Sequence, residues 1–165
     1  MTEGEIRKFI EITCGLGQDM YEAMRERGEP FQGYMTAQGN DGRSWLRGYL
    51  FEPPRGMTAE EKAEEIERRV REELADGSDL VGVVVPARGA TMSGPGASVD
   101  KAERQLQKGL ACSVRGKFEG VYAAFAPFTE NGTVGEWMAT SNRHGSIITG
   151  SPIVQEIGRY VPQQN

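Results

Sequence analysis

The N-terminal segment places apolar and polar residues on opposite sides of an α-helical spiral. Thr2 and Glu5 stand three residues apart, the spacing of a capping box, in which hydroxyl and carboxylate each accept a hydrogen bond from an amide of the first turn. The apolar positions that recur at helical spacing are Ile6, Phe9, Ile10, Leu16, Met20, Ala23 and Met24. This periodicity predicts an amphipathic first helix, and we expect Gly28 to end it.

The next stretch changes to a strand pattern. Aromatic and apolar residues fill positions 31–52 on both sides of the turn-forming sequence Gly-Asn-Asp-Gly at 39–42. This arrangement predicts a β-hairpin. Pro53 and Pro54 follow directly and are expected to stop its second strand.

A second capped helix is expected from Thr58 to Asp76. Thr58 and Glu61 repeat the capping-box spacing, and Gly77 occupies the C-terminal capping position. The apolar stripe of this segment is narrow, and glutamates and arginines spaced four residues apart cover the rest of it. We therefore expect this helix to cover a sheet from outside.

The segment after this helix reads as a central strand. Residues 80–85 form a short continuous apolar run, the composition of a strand that is covered on both faces. Because it follows a helix that itself follows a strand, it predicts a right-handed crossover and a parallel neighbour.

Residues 87–98 (ARGATMSGPGAS) form the longest stretch rich in turn-forming residues and predict a loop. Beyond it, Val99, Ala102, Leu106 and Leu110 recur at helical spacing. The pattern predicts a third helix that presents a basic ridge outward. The ridge consists of Lys101, Arg104 and Lys108.

The last third of the chain contains another hairpin signal. Asn131-Gly132 separates two aromatic-rich runs and predicts a type I′ turn. A second turn is expected at residues 142–145, followed by a strand over 146–149. Ser151-Pro152 then predicts the start of a final helix.

Together these elements predict one α+β domain over residues 1–165. We expect a mixed, mostly antiparallel sheet of five to six strands with about four helices, which lie on one face of the sheet and of which the first packs deepest. A chain of 165 residues with 38% hydrophobic and 26% charged residues is long enough and apolar enough for one such core. The chain contains no apolar run of membrane-spanning length and no signal peptide, so we expect a cytoplasmic protein with no membrane partner.

Metal and cofactor chemistry finds little support in the sequence. Cys14 and Cys112 are far apart, and His144 is the only histidine. A zinc site needs several such ligands at short spacing, so we expect no metal, no cofactor and two cysteines that serve as small apolar groups.

Charge is distributed unevenly along the chain. Residues 59–76 hold eight acidic and four basic residues, whereas residues 87–117 hold six basic and two acidic ones. Backbone amides at a helix start and nearby cations suit a phosphate or carboxylate. The candidate anion site is therefore the Gly-rich loop 88–98 with the basic helix. Its residues are Arg88, Ser93, Gly94, Gly96, Ser98, Lys101 and Arg104.

The spacing of this loop matches neither of the established phosphate-binding patterns. Pro95 stands where a P-loop needs lysine, and Gly94-x-Gly96 lacks the third glycine of a dinucleotide fingerprint. An ordinary surface loop or an assembly contact remains the alternative.

Two other kinds of site are considered. His144 beside Arg143 in a turn could act as a general base, although a lone histidine in a surface turn usually serves only polar turn chemistry. Aromatic residues in predicted strands (Trp45, Tyr49, Tyr122 and Trp137) could stack nucleic-acid bases. The strands carry few interleaved basic residues, so we expect these aromatics in the core and no nucleic-acid partner.

Three function classes follow, in order of preference. The first is a non-catalytic ligand-binding or regulatory domain that takes a small anion, such as a nucleotide, at the Gly-rich loop. The second is a structural or self-assembling protein that associates through a sheet edge or the N-terminal helix. The third is a small enzyme that uses His144. We also expect a homo-oligomer, most simply a homodimer, because open sheet edges must be covered or paired.

Overall fold

The computed structural model describes residues 2–93, 106–118, 122–139, 144–149 and 159–160, with side chains over 2–89, 106–118 and 122–138. The helices are α1 (Glu3–Glu26) and α2 (Ala59–Ala75). The strands are β1 (Tyr34–Asn40), β2 (Ser44–Leu50), β3 (Leu80–Ser93), β4 (Gln107–Gly116), β5 (Tyr122–Pro127), β6 (Met138–Ala139), β7 (His144–Thr149) and β8 (Arg159–Tyr160). Within these described ranges, neither helix is long and apolar enough to cross a bilayer.

Both helices begin at the capping boxes that the sequence predicts. The Thr2 hydroxyl accepts a hydrogen bond from the Glu5 amide at 3.2 Å, and the Glu5 carboxylate accepts one from the Thr2 amide at 2.8 Å. Thr58 and Glu61 form the same pair of bonds at the start of α2. Gly28 and Gly77 follow the two helices with positive φ, the backbone conformation that glycine adopts at least cost.

The predicted hairpin over residues 31–52 is confirmed. β1 and β2 pair antiparallel from Tyr34 opposite Leu50 to Asn40 opposite Ser44, without interruption. Gly42 in the connecting loop has a φ of 103°, so the turn chemistry of residues 39–42 predicts the reversal correctly.

The strands form one sheet in the order β2-β1-β3-β4-β5-β6, and every pairing between described strands is antiparallel. β7 pairs with the C-terminal part of β3, from Arg88 to Ser93, and β8 pairs with β7. The predicted parallel neighbour is wrong. α2 does connect two strands that run in the same direction, β2 and β3, but β1 lies between them and pairs with both.

The α+β class and the mostly antiparallel sheet are confirmed, but about four helices is wrong: the described residues form two. Gln107 and Leu110, expected at the end of a third helix, belong to β4. β4 continues through the buried run 110–114 and makes ten consecutive pairs with β3. The long-range ladder with β3 therefore overrides the helical spacing of residues 99–110. Residues 94–105 lie outside the described ranges.

Two other segments, which were predicted to be a loop and a helix, contain strands. The expected loop from residue 87 is strand as far as Ser93, paired first with β4 and then with β7. The final helix is wrong at Arg159 and Tyr160, which pair with β7; residues 151–158 lie outside the described ranges.

The turn at Asn131-Gly132 is present, but it is not type I′. Gly132 has a φ of 77°, and Asn131 lacks the positive φ that this turn type requires. The Gly132 amide donates to the Thr129 carbonyl and the Thr129 amide to the Thr133 carbonyl, each at 2.8 Å. The bonds enclose a three-residue loop, for which one residue with positive φ is enough.

Each face of the sheet is covered by one helix, so the prediction that the helices share a face is wrong. α1 packs on the face formed by Leu80, Val84, Leu110, Cys112 and Val114. α2 packs on the opposite face, where Val81, Val83 and Val85 alternate with those residues along β3. Both faces of the central strand are buried, as the apolar run 80–85 predicts.

Candidate functional site

The predicted anion site is only partly described by the structure. Arg88 lies on β3 directly opposite Lys108 of β4, and both side chains are exposed. The backbone of Ser93 is also in β3. Gly94, Gly96, Ser98, Lys101 and Arg104 lie outside the described residues. The structure therefore brings together one cation of the predicted loop and one of the predicted ridge, on neighbouring strands.

His144 and Gly145, which were expected in a turn, lie in a strand instead. His144 begins β7, and its backbone is paired with Ser93. Its side chain and all of Arg143 lie outside the described residues, so a catalytic role for this pair remains a prediction.

A cavity of about 340 Å³ lies between the first two turns of α2 and the sheet. Its volume is at the lower end of the range of small-molecule sites. The residues around it come from α2, from β3 and from the segments just before β1 and just after β2. They are Phe31, Gln32, Phe51, Ala59, Lys62, Ala63, Ile66, Val85 and Pro86.

The helix wall of this cavity follows from the register of α2. The capping box at Thr58 fixes where the helix starts, and Ala59, Lys62, Ala63 and Ile66 then fall at i, i+3, i+4 and i+7. Residues at this spacing share one helix face. Lys62 therefore lies within the apolar stripe of α2 and faces the sheet.

Four apolar residues around the cavity are almost fully buried. Phe51, Ala63, Ile66 and Val85 are each at most 5% exposed. The Arg69 guanidinium lies 4.8 Å from the centre of the Phe51 ring, close enough for a cation–π contact. By contrast, Ala59 and Pro86 are exposed and form part of the rim.

Two polar side chains line the cavity, and they contact each other. The Lys62 ammonium donates a hydrogen bond to the Gln32 side-chain oxygen at 3.0 Å, and both residues are half-buried. An ammonium has three N–H donors, and a glutamine amide has two more. This wall of an otherwise apolar cavity thus presents a positive charge and several hydrogen-bond donors.

The acidic residues at the start of α2 do not line the cavity. Glu60 and Glu61 are exposed, and the Glu61 carboxylate is held by the Thr58 amide. The positive end of the helix dipole lies in this first turn, where Ala59 meets the cavity. Together with Lys62, it favours a negative group in the cavity.

The two cysteines form part of the core beneath α1. Cys14 and Cys112 are free and buried in the same apolar cluster. A hydrogen bond with Cys14, together with burial, raises the pKa of the Cys112 thiol well above its ordinary value. The neutral thiol is therefore favoured, and the chemistry of a reactive thiolate is disfavoured. Among the described side chains, no three histidine, cysteine, aspartate or glutamate residues come close enough together to hold a metal.

The four strand aromatics do not form a stacking surface. Tyr49, Tyr122 and Trp137 pack against the buried clusters, and the Trp137 indole donates to the Gln18 side chain at 2.9 Å. Trp45 is half-buried on β2, with the Arg47 guanidinium 5.0 Å from its ring centre. These placements favour structural contacts over base stacking.

Reasoning from the sequence missed the cavity because it treated α2 as a solvated outer helix. One signal was available: Lys62 stands in line with Ala59, Ala63 and Ile66 rather than on the charged side. The opposing wall, Phe31, Gln32 and Phe51, comes from segments that the hairpin brings together.

Comparison with models of known protein families, with curated proteins and with solved structures gave no match.

Proposed function

We propose that this protein is a non-catalytic binding domain for a small amphiphilic carboxylate, held in the cavity between α2 and the sheet. The observation that carries the proposal is the Lys62 ammonium in the wall of a cavity otherwise lined mainly by apolar side chains. The apolar part of the ligand would lie against Phe51, Ile66 and Val85. The carboxylate would accept hydrogen bonds from Lys62.

Each part of the ligand has a physical reason to bind. Burial of apolar ligand surface contributes roughly 25 cal/mol per Å² removed from water. A hydrogen bond between an ammonium and a carboxylate is about twice as strong as one between neutral groups. Because Lys62 is half-buried, water screens this contact less than it screens a fully exposed pair.

A small monoanion suits the cavity better than a nucleotide. Of the described residues that line it, only Lys62 is charged. Phosphate groups of nucleotides are usually held by several cations or by a row of backbone amides. We therefore still propose an anionic ligand, but we place it in the cavity beside α2 and not at the Gly-rich loop.

The proposal is tested with three eight-carbon probes that differ in their head group: octanoate, octanol and octylamine. We expect the melting temperature to rise with the logarithm of the octanoate concentration once that concentration exceeds Kd, because a ligand that binds only the folded state stabilises it. Octanol should bind more weakly and octylamine least. Equal binding of octanol and octanoate, measured by titration calorimetry, would show that Lys62 does not select the ligand.

Substitution of Lys62 separates the charge from the cavity. Lys62→Met keeps the length of the side chain and removes the ammonium, so octanoate affinity should fall about tenfold to a hundredfold. The matched control is Lys8→Met, which makes the same charge change at an exposed position of α1. If both variants bind octanoate like the parent protein, the proposed role of Lys62 is wrong.

Filling the cavity tests its location. Ala59 is exposed at the rim, so Ala59→Phe should block the cavity without disturbing the core and should abolish octanoate binding. Glu60→Phe adds the same ring one residue along, outside the lining, and should leave octanoate binding intact. The reverse result would place the ligand elsewhere.

A further inference from the structure

Strand β2 forms one edge of the sheet, and the described part of the chain places no strand beyond it. It runs for seven residues, each paired with β1 in unbroken register. The opposite end of the same strand order is β6, which has only two residues. Between these two edges, β2 offers much the longer row of backbone groups for pairing.

The register shows which backbone groups of β2 point outward. The Phe51 amide donates to the Gly33 carbonyl at 2.8 Å, so the Gly33–Phe51 pair is hydrogen-bonded. Hydrogen-bonded and non-bonded pairs alternate along an antiparallel ladder. Tyr49, Arg47 and Trp45 therefore direct their amides and carbonyls toward β1. The outward groups belong to Ser44, Leu46, Gly48 and Leu50.

Most of the devices that usually protect a sheet edge are absent between residues 44 and 50; the exception is one charge that points to the covered α2 side. Proteins discourage edge pairing with prolines, lysines, inward-pointing charges or bulges. β2 contains no proline, no lysine and no bulge. Its one charged residue is Arg47, whose guanidinium is bound by the Glu73 carboxylate on the α2 side. Leu46, meanwhile, is 43% exposed.

We propose that β2 is a homodimer interface, in which two copies of this chain pair their β2 strands antiparallel about a two-fold axis at Leu46. Leu46 of each copy then lies opposite Leu46 of the partner subunit, and Ser44 lies opposite the partner's Gly48. Both pairs use the outward backbone groups. Six strands of each subunit would join into one continuous sheet.

The side chains on the α2 side favour this register. With the axis at Leu46, Trp45 lies opposite the partner's Arg47, and arginine over an indole ring is a favourable contact that the chain already makes internally at 5.0 Å. An axis at Arg47 would instead set two guanidinium groups directly opposite each other, and like charges in that position are destabilising. An axis at Gly48 would leave each Leu46 opposite the half-buried Leu50, so less exposed apolar surface would be covered.

The association itself is tested by sedimentation equilibrium over a hundredfold range of concentration. We expect the mass to rise from 18 kDa for one chain toward twice that value. Leu46→Lys should weaken dimerisation at least tenfold, because it sets two ammonium groups on the axis. Met138→Lys is the matched control, since Met138 is the exposed apolar residue of the opposite edge, and it should dimerise like the parent. A parent protein that stays at one chain mass throughout, or a Leu46→Lys variant that still dimerises, overturns the proposal.

Disulfide cross-linking tests the register. Opposed residues in a hydrogen-bonded pair have Cα atoms about 5.5 Å apart, within disulfide range. Leu46→Cys should form a covalent dimer on mild oxidation with diamide, and Ser44→Cys, at an exposed position two residues along the same side of β2, should not. The native cysteines are buried, and the unsubstituted protein measures their contribution. Cross-linking through Ser44→Cys in place of Leu46→Cys would show that the axis is misplaced.

Discussion

Helix α1 approaches the sheet closely at Thr13 and Gly17, whereas α2 leaves a cavity at its first two turns. Under α1, Gly17 faces Val84, and the Thr13 hydroxyl lies 2.6 Å from the Thr36 hydroxyl. On the other side, Ile66 and Val70 reach down to the sheet, and Lys62 faces the cavity.

The charges follow the same division. α2 is held at its margins by ion pairs, of which Glu67 with Arg115 reaches β4 and Glu73 with Arg47 reaches β2. The polar and aromatic contacts of α1 with the rest of the chain are instead hydrogen bonds and ring packing. Tyr21 stacks on Phe128 with ring centres 4.9 Å apart. The α1 face thus supplies tight packing, and the α2 face retains the space that a ligand needs.

The largest expected effect is at Gly17. A Cβ atom there would lie 2.6 Å from Cγ2 of Val84, so Gly17→Ala must push α1 away from the sheet. We expect Gly17→Ala to lower the free energy of unfolding by about 1–3 kcal/mol. Gly15→Ala is the control, since its Cβ would meet open space; it should raise stability by up to about 1 kcal/mol through helix propensity. Urea unfolding of both variants measures the difference, and effects of the same sign would contradict the close approach of α1.

A smaller effect is expected at the Thr13–Thr36 hydrogen bond, where both residues are fully buried. Thr13→Val keeps the shape of the side chain but leaves the Thr36 hydroxyl without this partner. The expected loss is about 1–2 kcal/mol. Thr13→Val combined with Thr36→Val removes both hydroxyls and should recover much of the loss. A double variant as unstable as the sum of the single variants would indicate that the two hydroxyls act independently.

The smallest expected effect lies on the outer surface of α2. Hydrogen bonds from Arg68, and then from Arg69, lower the pKa of Glu65 from 4.5 to about 2. A lowered carboxyl pKa in the folded state contributes stability above about pH 4.5, and this contribution is lost as the pH falls toward 2. Glu65→Gln should flatten the stability profile in that window, because it removes this small contribution at neutral pH and changes little near pH 2. In 1 M salt the two profiles should converge; profiles that already coincide at low salt would show that these pairs contribute nothing.

Local features of the chain were predictable because their physics is local. The capping boxes at Thr2 and Thr58 and the turn at residues 39–42 each depend on atoms within four residues of one another. The apolar run 80–85 likewise identified the central strand, since burial on both faces leaves no room for polar side chains.

The errors occurred where partners distant in sequence decide the conformation. The spacing of residues 99–110 fits a helix, yet the hydrogen bonds that β3 offers make Gln107–Leu110 part of a strand. Gly89 reads as a loop residue, but in the sheet it makes room for the Phe125 ring, which a Cβ would meet at 2.8 Å. The conformations of residues 107–110 and of Gly89 cannot be predicted without knowing which strand lies beside them.

The candidate site shows the same limit. The sequence by itself determined that Lys62 shares a helix face with Ala63 and Ile66, because α-helix geometry and one capping box fix that relation. Only the tertiary structure decided that this face meets Phe31, Gln32 and Phe51 across a cavity. Helix periodicity is set by the backbone of consecutive residues, whereas the space between elements depends on how side chains from separate parts of the chain fill it.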